Sequence, residues 1–405
     1  MRSRGQPPTR AACSWTPGPI RNSGSEPIGT DTWGFDLDRQ QLARRLRDQR
    51  LRLSAVRGGV FSALAAYLVL GGSQALRDAI VSLRWPPWAS VVVYLAALYG
   101  LLAGLDLPFG YVSGYRWERA AGLSNQTFLS WLKDAGKSTA LGLGMTVGAG
   151  GVLIWLLGSF PSTWWIFAWV LGLVLSAIIG FLAPVVIVPM FYRLRPLADA
   201  DLRARFEALA ARACIPVLGV FEIEASAKTR RANAAVMGFG RTRRIVVTDT
   251  LLREFSPDEI ETVLAHELGH QRFRDPLRGF ALGAVISLVV LAISAWLYGA
   301  TYPVYGLPGP GDVAGLPVLA VLLSLVSLPL HPLELAWSRQ REARSDRFAL
   351  DVTRNPHSFA SAMVRLHDRD LGVANPRDWE KWLFYGHPPG RERVVAAREY
   401  VAFAA

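Results

Sequence analysis

Charged residues are missing from long stretches of this 405-residue chain, although the whole chain carries a formal net charge of +12. From residue 138 to residue 192 no side chain is charged, and only the short segment 159–163 interrupts the apolar run. About 20 helical residues span a bilayer, so this run predicts two membrane helices joined by a tight turn. Together with a mean hydropathy of +0.24, it argues against a soluble enzyme.

Cysteine is scarce, and signal-peptide and nucleic-acid features are missing. Only Cys13 and Cys214 occur, so no thiolate metal ligand is predicted. Residues 1–37 are rich in Pro, Gly, Ser, Thr and Arg without periodicity, which predicts a disordered N-terminal tail. The tail has no apolar segment, so no cleaved signal peptide is expected. No basic stripe is interleaved with aromatic residues, so no nucleic-acid partner is expected.

Four further apolar runs pass the same length test, at residues 58–76, 88–105, 279–300 and 314–333. Each could instead be a buried core helix, but runs of this length without charge favour membrane spans. We therefore expect a mostly α, polytopic membrane protein of about six spans. Residues 38–192 would form an N-terminal membrane region of four spans.

Basic residues are concentrated on one side of this predicted topology. Seven arginines precede the first span, and the segments 110–137, 193–278 and the tail after Ser338 are basic. The opposite loops contain only Arg77 and Arg84. By the positive-inside rule, both termini and the segment between spans four and five face the cytoplasm of a cell inner or plasma membrane.

The basic segment 193–278 contains a metal-binding pattern, His266-Glu267-Leu268-Gly269-His270. Histidines four residues apart lie on one face of a helix and can share a zinc ion. The glutamate between them can act as general base on a water molecule. Ser256-Pro257-Asp258-Glu259 predicts the start of that helix, with Ser256 as N-cap and Glu259 completing a capping box. The alternative is a helix that merely contains two histidines.

The motif closes a segment that we expect to fold as a small cytoplasmic α+β unit inserted between spans four and five. Residues 202–213 read as a helix, residues 217–223 and 244–248 as strands, and residues 233–238 as an edge strand. A metallopeptidase domain would then comprise residues 193–405, including spans five and six.

A catalytic zinc ion takes three protein ligands and leaves one position open. Glu342 is the preferred third ligand because it follows span six by about two helical turns. This places it on the same side of the membrane as the histidine motif. Asp346 lies four residues further on the same face, where it could accept a hydrogen bond from a ligand histidine. An ordinary ion-paired helix end remains an equal alternative. Four other histidines are weaker candidates: His331, His357, His367 and His387.

At this point the chain resembles the type I CAAX prenyl endopeptidases and, more distantly, the bacterial HtpX membrane peptidases, which are integral-membrane gluzincins. The likeness covers most of residues 38–400. Its motifs are Leu107-Pro108-Phe109 with Lys133-Asp134, Ala183-Pro184 with Pro189-Met190-Phe191, Arg231-Ala232-Asn233-Ala234 with Gly238-Phe239-Gly240, Ser338-Arg339 with Glu342 and Asp346, and His387-Pro388-Pro389 with Glu392-Arg393.

The resemblance implies a role for each site residue. His266, His270 and Glu342 would bind one zinc ion per chain, and Glu267 would be the general base. Asn233 and Ala234 would bind the substrate backbone. His387 and Arg393 would lie near the cleft, where either could stabilise the oxyanion. The chain departs from the family in having one N-terminal membrane helix fewer and Ser345 where alanine is usual.

These observations predict an integral-membrane zinc endopeptidase that cleaves a peptide or membrane-protein substrate, lipidated or not, at the cytoplasmic face of the bilayer. Two alternatives stay open. The first keeps the chemistry but assigns it to HtpX-like quality control of membrane proteins. The second is a membrane transporter in which the zinc is structural, and a fourth protein ligand would favour it.

Overall fold

The structure is a computed structural model that describes residues 29–238 and 240–404. Cys13, Phe239 and most of the predicted tail lie outside the described residues. The end of that tail is described: residues 29–36 form a turn, and the Phe35 side chain is fully buried in the main core. Ordered structure therefore begins before residue 38, because one aromatic side chain can anchor a short segment that has no periodicity.

Six helical stretches in the described residues are long and apolar enough to cross a membrane, as predicted. They are Leu37–Val81, Pro87–Ala120, Phe128–Ser159, Trp164–Phe191, Asp275–Thr301 and Val313–Thr353. The first, second, fifth and sixth stretches are longer than the apolar runs 58–76, 88–105, 279–300 and 314–333 that predicted them. Their α-helical elements are α1 (Leu37–Tyr67), α2 (Ser73–Val81), α3 (Pro87–Gly110), α4 (Trp117–Ala120), α5 (Phe128–Ser159), α6 (Trp164–Leu182), α7 (Val188–Phe191), α11 (Asp275–Thr301), α12 (Leu316–Ser327) and α13 (His331–Thr353).

Short π-helical segments interrupt three of these spans, at Leu68–Gly72, Tyr111–Arg116 and Ala183–Ile187. Gly71 in the first segment has φ 127°, a backbone conformation that favours glycine, and the helix kinks there. Short 3₁₀ segments lie at Gly240–Thr242, Val313–Gly315 and Leu328–Leu330.

A small α+β unit follows the fourth candidate span. It contains β1 (Leu194–Pro196), α8 (Ala200–Arg212), β2 (Val220–Ile223), β3 (Ala234–Met237), β4 (Arg244–Thr248), α9 (Asp249–Glu254) and α10 (Pro257–Arg272). The strand order is β1-β2-β4-β3, with β2 parallel to β4 and the two outer strands antiparallel. The strand near residues 233–238 is at an edge, as predicted. The three-residue strand β1, at the other edge, was not predicted from the sequence.

After the sixth span the chain returns to this unit through α14 (Pro356–Asp370), α15 (Asp378–Phe384) and α16 (Gly390–Ala404). The main core is formed where these helices and the sheet pack around α10. Ile260, Leu264 and Leu268, the predicted apolar stripe of α10, are at most 1% exposed. Helix α10 packs against β3 and against α13 and α14, which fixes the orientation of its remaining face.

The N-terminus of α10 has the predicted capping box. The Ser256 hydroxyl accepts a hydrogen bond from the Glu259 backbone N–H, and the Glu259 carboxylate accepts one from the Ser256 N–H. Ser361 and Arg365 also bond to Glu259, so the cap is tied to α14. Those partners hold the pKa of the Glu259 carboxyl below its usual range against the opposing effect of burial.

Candidate metal centre

The structure brings His266 and His270 of α10 together with Glu342 of α13. Their ligand atoms all lie within 4.8 Å of one another. The two Nε2 atoms are 3.1 Å apart, and Glu342 places Oε2 3.2 Å from His266 Nε2 and Oε1 3.4 Å from His270 Nε2. His266 and Glu342 are buried, whereas His270 is partly exposed, so the group is open on one side.

Each histidine ring is held from behind by a carboxylate. Asp346 Oδ1 lies 2.7 Å from His266 Nδ1, as the sequence suggested, and Asp275 Oδ2 lies 2.9 Å from His270 Nδ1. Both Nδ1 atoms therefore donate hydrogen bonds, and only the Nε2 atoms face Glu342. Asp275 was not assigned this position from the sequence. It begins α11, and the left-handed backbone at Arg274 (φ 55°) turns it back towards α10.

This arrangement fits a metal ion. A tetrahedral ion with bonds of about 2.0–2.1 Å separates its ligand atoms by about 3.3 Å, which is close to the three distances between these side chains. Glu342 Oε2 is also buried and, within the described part of the chain, has no hydrogen-bond partner of acceptable geometry. The two Nε2 atoms and the carboxylate are three acceptors that converge on one point, and a cation there would satisfy all three.

A proton takes that place when no metal is bound. Burial alone would lower the pKa of His266, but the carboxylates of Asp346 and Glu342 outweigh burial and raise that pKa to about 9. The pKa of His270 is raised as well, because Glu342 and Asp275 outweigh burial and the repulsion from His266. Metal binding near neutral pH therefore displaces a proton from the histidine pair.

Gly269, between the two histidines in the motif, lets α10 and α13 approach closely. A Cβ atom there would lie 3.1 Å from the Phe348 ring and 3.3 Å from the Ser345 Cα. Ser345 packs in this contact with its Oγ 3.1 Å from His270 Nδ1. The serine that departs from the family's usual alanine therefore adds a second polar contact to the ring that Asp275 holds.

Arg393 of α16 lies behind the metal centre. Its side chain is 12% exposed and forms a two-pronged ion pair with Asp346, with Nε 2.8 Å from Oδ2. Its Nη2 is 3.4 Å from His266 Nδ1. Arg393 therefore faces the side of His266 opposite the atom that meets Glu342. It is near the centre, and its charge also interacts with that of Glu267.

His387 and Glu267 occupy more open positions. The His387 side chain is 66% exposed, with Nδ1 2.7 Å from Glu342 Oε2. It is not in the cluster whose ligand atoms are mutually close, so the described residues supply three such ligands and leave a fourth position. Glu267 is half-buried, and no described residue donates a hydrogen bond to its carboxylate. That carboxylate is free to act on a bound reactant.

The two predicted substrate residues lie at the start of edge strand β3. The Asn233 backbone is held by Thr248, whose hydroxyl accepts from its N–H at 3.0 Å and donates to its C=O at 3.0 Å. Ala234 follows and pairs with Val247. The carbonyl of Val236 accepts a bond from Gln271, the residue after His270. Strand β3 therefore runs beside the metal-binding helix.

The remaining histidines do not join the site. His331 is exposed and 3.9 Å from Glu334, and His357 is exposed in the first turn of α14. His367 donates through Nδ1 to the Met363 carbonyl, and burial lowers its pKa to about 4, so it is neutral. Low pKa and a backbone partner are typical of a structural histidine, the interpretation that its sequence context favoured.

Comparison with known proteins agrees with this geometry. Residues 196–401 match the family described as peptidase family M48, and residues 35–193 match that described as CAAX prenyl protease N-terminal, five membrane helices. The described part of that second region contains four candidate spans. The chain is 30% identical over 339 residues to the uncharacterized metalloprotease YhfN of Bacillus subtilis, covering 82% of this chain and 79% of that protein.

A eukaryotic relative and a solved structure extend the comparison. CAAX prenyl protease 1 of Saccharomyces cerevisiae is 28% identical over 354 residues, covering 81% of this chain and 76% of the yeast protein. The crystal structure of S. mikatae Ste24p has the same fold, with a TM-score of 0.80 at 22% identity over 92% of this chain and 91% of that one. The predicted family is confirmed: the chain belongs to peptidase family M48 and is an integral-membrane metalloendopeptidase.

Proposed function

We propose that this metalloendopeptidase uses zinc and cleaves peptide bonds of protein substrates at the cytoplasmic face of the membrane. The observation that carries the proposal is the convergence of His266, His270 and Glu342 at spacings that suit a tetrahedral ion. Two imidazoles and one carboxylate form a ligand set typical of catalytic zinc. A fourth described ligand, which a structural zinc would need, is not part of the cluster. This disfavours the transporter alternative.

The chain's own residues account for the remaining chemistry. Bound zinc would polarise the scissile carbonyl and lower the pKa of a water molecule. Glu267 would take the proton of that water and pass it to the leaving amine. His387 lies on the exposed side and is the better placed of the two predicted oxyanion residues. Arg393 would instead be a positioning residue that acts through Asp346 and His266.

Strand β3 would bind the substrate backbone. It is an edge strand beside α10, so an extended peptide could add to its free edge and pass the metal centre. Asn233 and Ala234 would set the register at the start of that strand. The yeast relative is named a CAAX prenyl protease, and we propose a similar preference here, for peptide bonds near the C-terminus of a lipidated protein.

Mass-spectrometric mapping of cleavage sites tests this function. The purified protein in nanodiscs would be given matched peptides with and without a C-terminal isoprenoid, and separately unfolded membrane proteins. Cleavage that requires the lipid supports the CAAX-like assignment. Cleavage of unfolded membrane proteins with no lipid preference would assign quality control. The Glu267→Gln protein serves as the inactive reference throughout.

The cytoplasmic orientation predicts a labelling pattern for single introduced cysteines. In a background with Cys13 and Cys214 replaced by serine, Ser159→Cys and Val304→Cys should react with an impermeant maleimide on intact cells. Leu218→Cys in the α+β unit should react only after permeabilisation. Val304 and Leu218 are 81% and 63% exposed, so both thiols are accessible. Labelling of Leu218→Cys on intact cells would place the metal centre outside.

The carboxylates behind the histidines predict graded losses of metal affinity. Asp346→Asn and Asp275→Asn should each lower zinc affinity by about 10- to 100-fold, because the ligand rings lose their orienting acceptors. Competition with a fluorescent chelator measures the affinity. Asp351→Asn is the matched control, since Asp351 is on the same helix but pairs with Arg347 at 3.3 Å. Equal losses in all three proteins would point to general destabilisation.

A further inference from the structure

A cavity of about 420 Å³ lies away from the metal centre, between the middle of α1 and the C-terminal end of α3 with the π-helical segment that follows it. Its α1 wall contains Arg47, Arg50 and Arg57, which share one helix face over about 15 Å. Asp106 is the only acidic residue in its lining. The sequence indicated only that these arginines precede the first span. The fold aligns three of them along one cavity.

The cavity lies at the boundary of the hydrocarbon layer. Arg57 is the last charged residue before the apolar run 58–76, and Asp106 is the first after the apolar run 88–105. Arg57 and Asp106 form an ion pair, with Nε 2.6 Å from Oδ1. The charged ends of the first and second apolar runs therefore lie at the same depth in the membrane. Arg50 and Arg231 both bind Glu118, and Arg231 leads into β3. The cavity is therefore on the metal centre's side of the membrane.

The arginines retain unused donors. Within the described residues, Nε and Nη2 of Arg47 are buried without a hydrogen-bond partner, and the nearest carboxylate contact is Glu380 at 3.6 Å. Arg50 uses Nη2 for Glu118, and Arg57 uses Nε for Asp106. A guanidinium carries five N–H donors, so most of them remain available for an anion. The Arg47 guanidinium lies over the Phe384 and Tyr385 rings, and its Nε and Nη2 are covered, so the donors available to a ligand come from Arg50 and Arg57.

We propose that this cavity binds a phosphate group, supplied by the headgroup of an anionic phospholipid in the cytoplasmic leaflet. Arginine forks match phosphate oxygens in pairs, and lipid phosphates are the abundant anions at this depth. Basic pockets between membrane helices on the cytoplasmic side bind the head groups of anionic lipids in other membrane proteins. Arg50 and Arg57, about 10 Å apart along α1, would contact the phosphate and the outer part of the headgroup.

Gly110 offers a direct way to close the cavity. It lines the α3 wall with helical backbone angles (φ −60°), and a Cβ atom there would meet nothing within 4 Å. Gly110→Leu should therefore fill the cavity without disturbing the fold. Gly100→Leu is the matched control, because Gly100 is on the same helix, is equally open and is outside the lining.

Lipid retention measures the proposed binding. The full-length protein would be reconstituted in phosphatidylcholine nanodiscs doped with phosphatidylglycerol, transferred to detergent and analysed by native mass spectrometry. We expect preferential retention of phosphatidylglycerol by the wild-type protein and loss of that preference in Gly110→Leu. The double variant Arg57→Gln/Asp106→Asn removes one charge of each sign. It should retain phosphatidylglycerol roughly fivefold less well than the wild-type protein, because it lacks one of the arginines that bind the headgroup. Arg52→Gln, an exposed arginine of α1 outside the cavity, should behave as wild type.

The outcomes separate the possible sources of the phosphate. Displacement of the retained lipid by glycerol phosphate at matched concentration would support the site but assign it to a soluble phosphate compound. Equal retention of both lipids by the wild-type protein would overturn the proposal. So would wild-type retention in Gly110→Leu, or an equal loss in Arg52→Gln, since the effect would then come from surface charge alone. None of these readouts depends on peptidase activity.

Discussion

The Glu342→Ala protein should be isolated without bound metal and without peptidase activity. Glu342 is the only one of the three proposed ligands outside the sequence motif, and it supplies both carboxylate oxygens that face the histidine pair. Its removal leaves two imidazoles, which hold zinc too weakly for a catalytic site, so affinity should fall by orders of magnitude. Metal analysis after dialysis, together with cleavage of a reporter peptide, measures the two effects.

Glu334→Ala provides the control for that experiment. Glu334 is on the same helix, about 12 Å away along the axis, and its side chain is 43% exposed. The control should keep stoichiometric metal and normal turnover. Full zinc occupancy and normal turnover in Glu342→Ala would refute the proposed ligand set. Asp275, Asp346 and His387 would then be the remaining candidates, although two of them face the wrong side of the rings.

The sequence predicts the metal-binding helix well because its signals are local. The Ser256 and Glu259 pair, Pro257 at the first turn and the stripe of Ile260 and Leu264 all lie within one segment. Capping, proline geometry and periodicity therefore indicate the same helix. The six membrane spans are predicted for a similar reason, since an uncharged run long enough to cross a bilayer has few other stable environments.

The contacts that complete the site join residues far apart in the sequence, and they were harder to predict from it. Asp275 reaches His270 only because Arg274 takes a left-handed conformation, which an arginine rarely adopts and a sequence does not announce. Strand β1 contains Pro196, and proline in a short run argues against a strand unless it lies at an edge. The position of Arg393 behind Asp346 depends on how α16 packs on α13, which no motif spacing encodes.

Glu342 is intermediate between these cases. Its position just beyond the apolar run 314–333 predicts that it lies on the same side of the membrane as the histidine motif, but an ordinary ion-paired helix end would have the same sequence. The close contact of α10 and α13 at Gly269 brings it to the histidines. Tertiary packing therefore supplied the distinction that local spacing could not, and the glycine in the motif is the residue that permits this packing.

Glu267→Gln should abolish proteolysis while the protein keeps one metal ion per chain. Glutamine has nearly the same shape but cannot accept a proton from water, and loss of a general base typically costs about 10²- to 10⁴-fold in rate. Metal retention is expected because Glu267 is outside the cluster formed by His266, His270 and Glu342. Single-turnover cleavage and metal analysis on the same preparation test both parts.

Asp258→Asn is the control for charge removal on the same helix. Asp258 lies in the first turn of α10, is 52% exposed and pairs with Arg205. It should retain both metal and activity. Normal turnover in Glu267→Gln would exclude a general-base role. Loss of metal together with activity would instead make Glu267 a ligand, and the open fourth position on which the endopeptidase mechanism depends would then be filled.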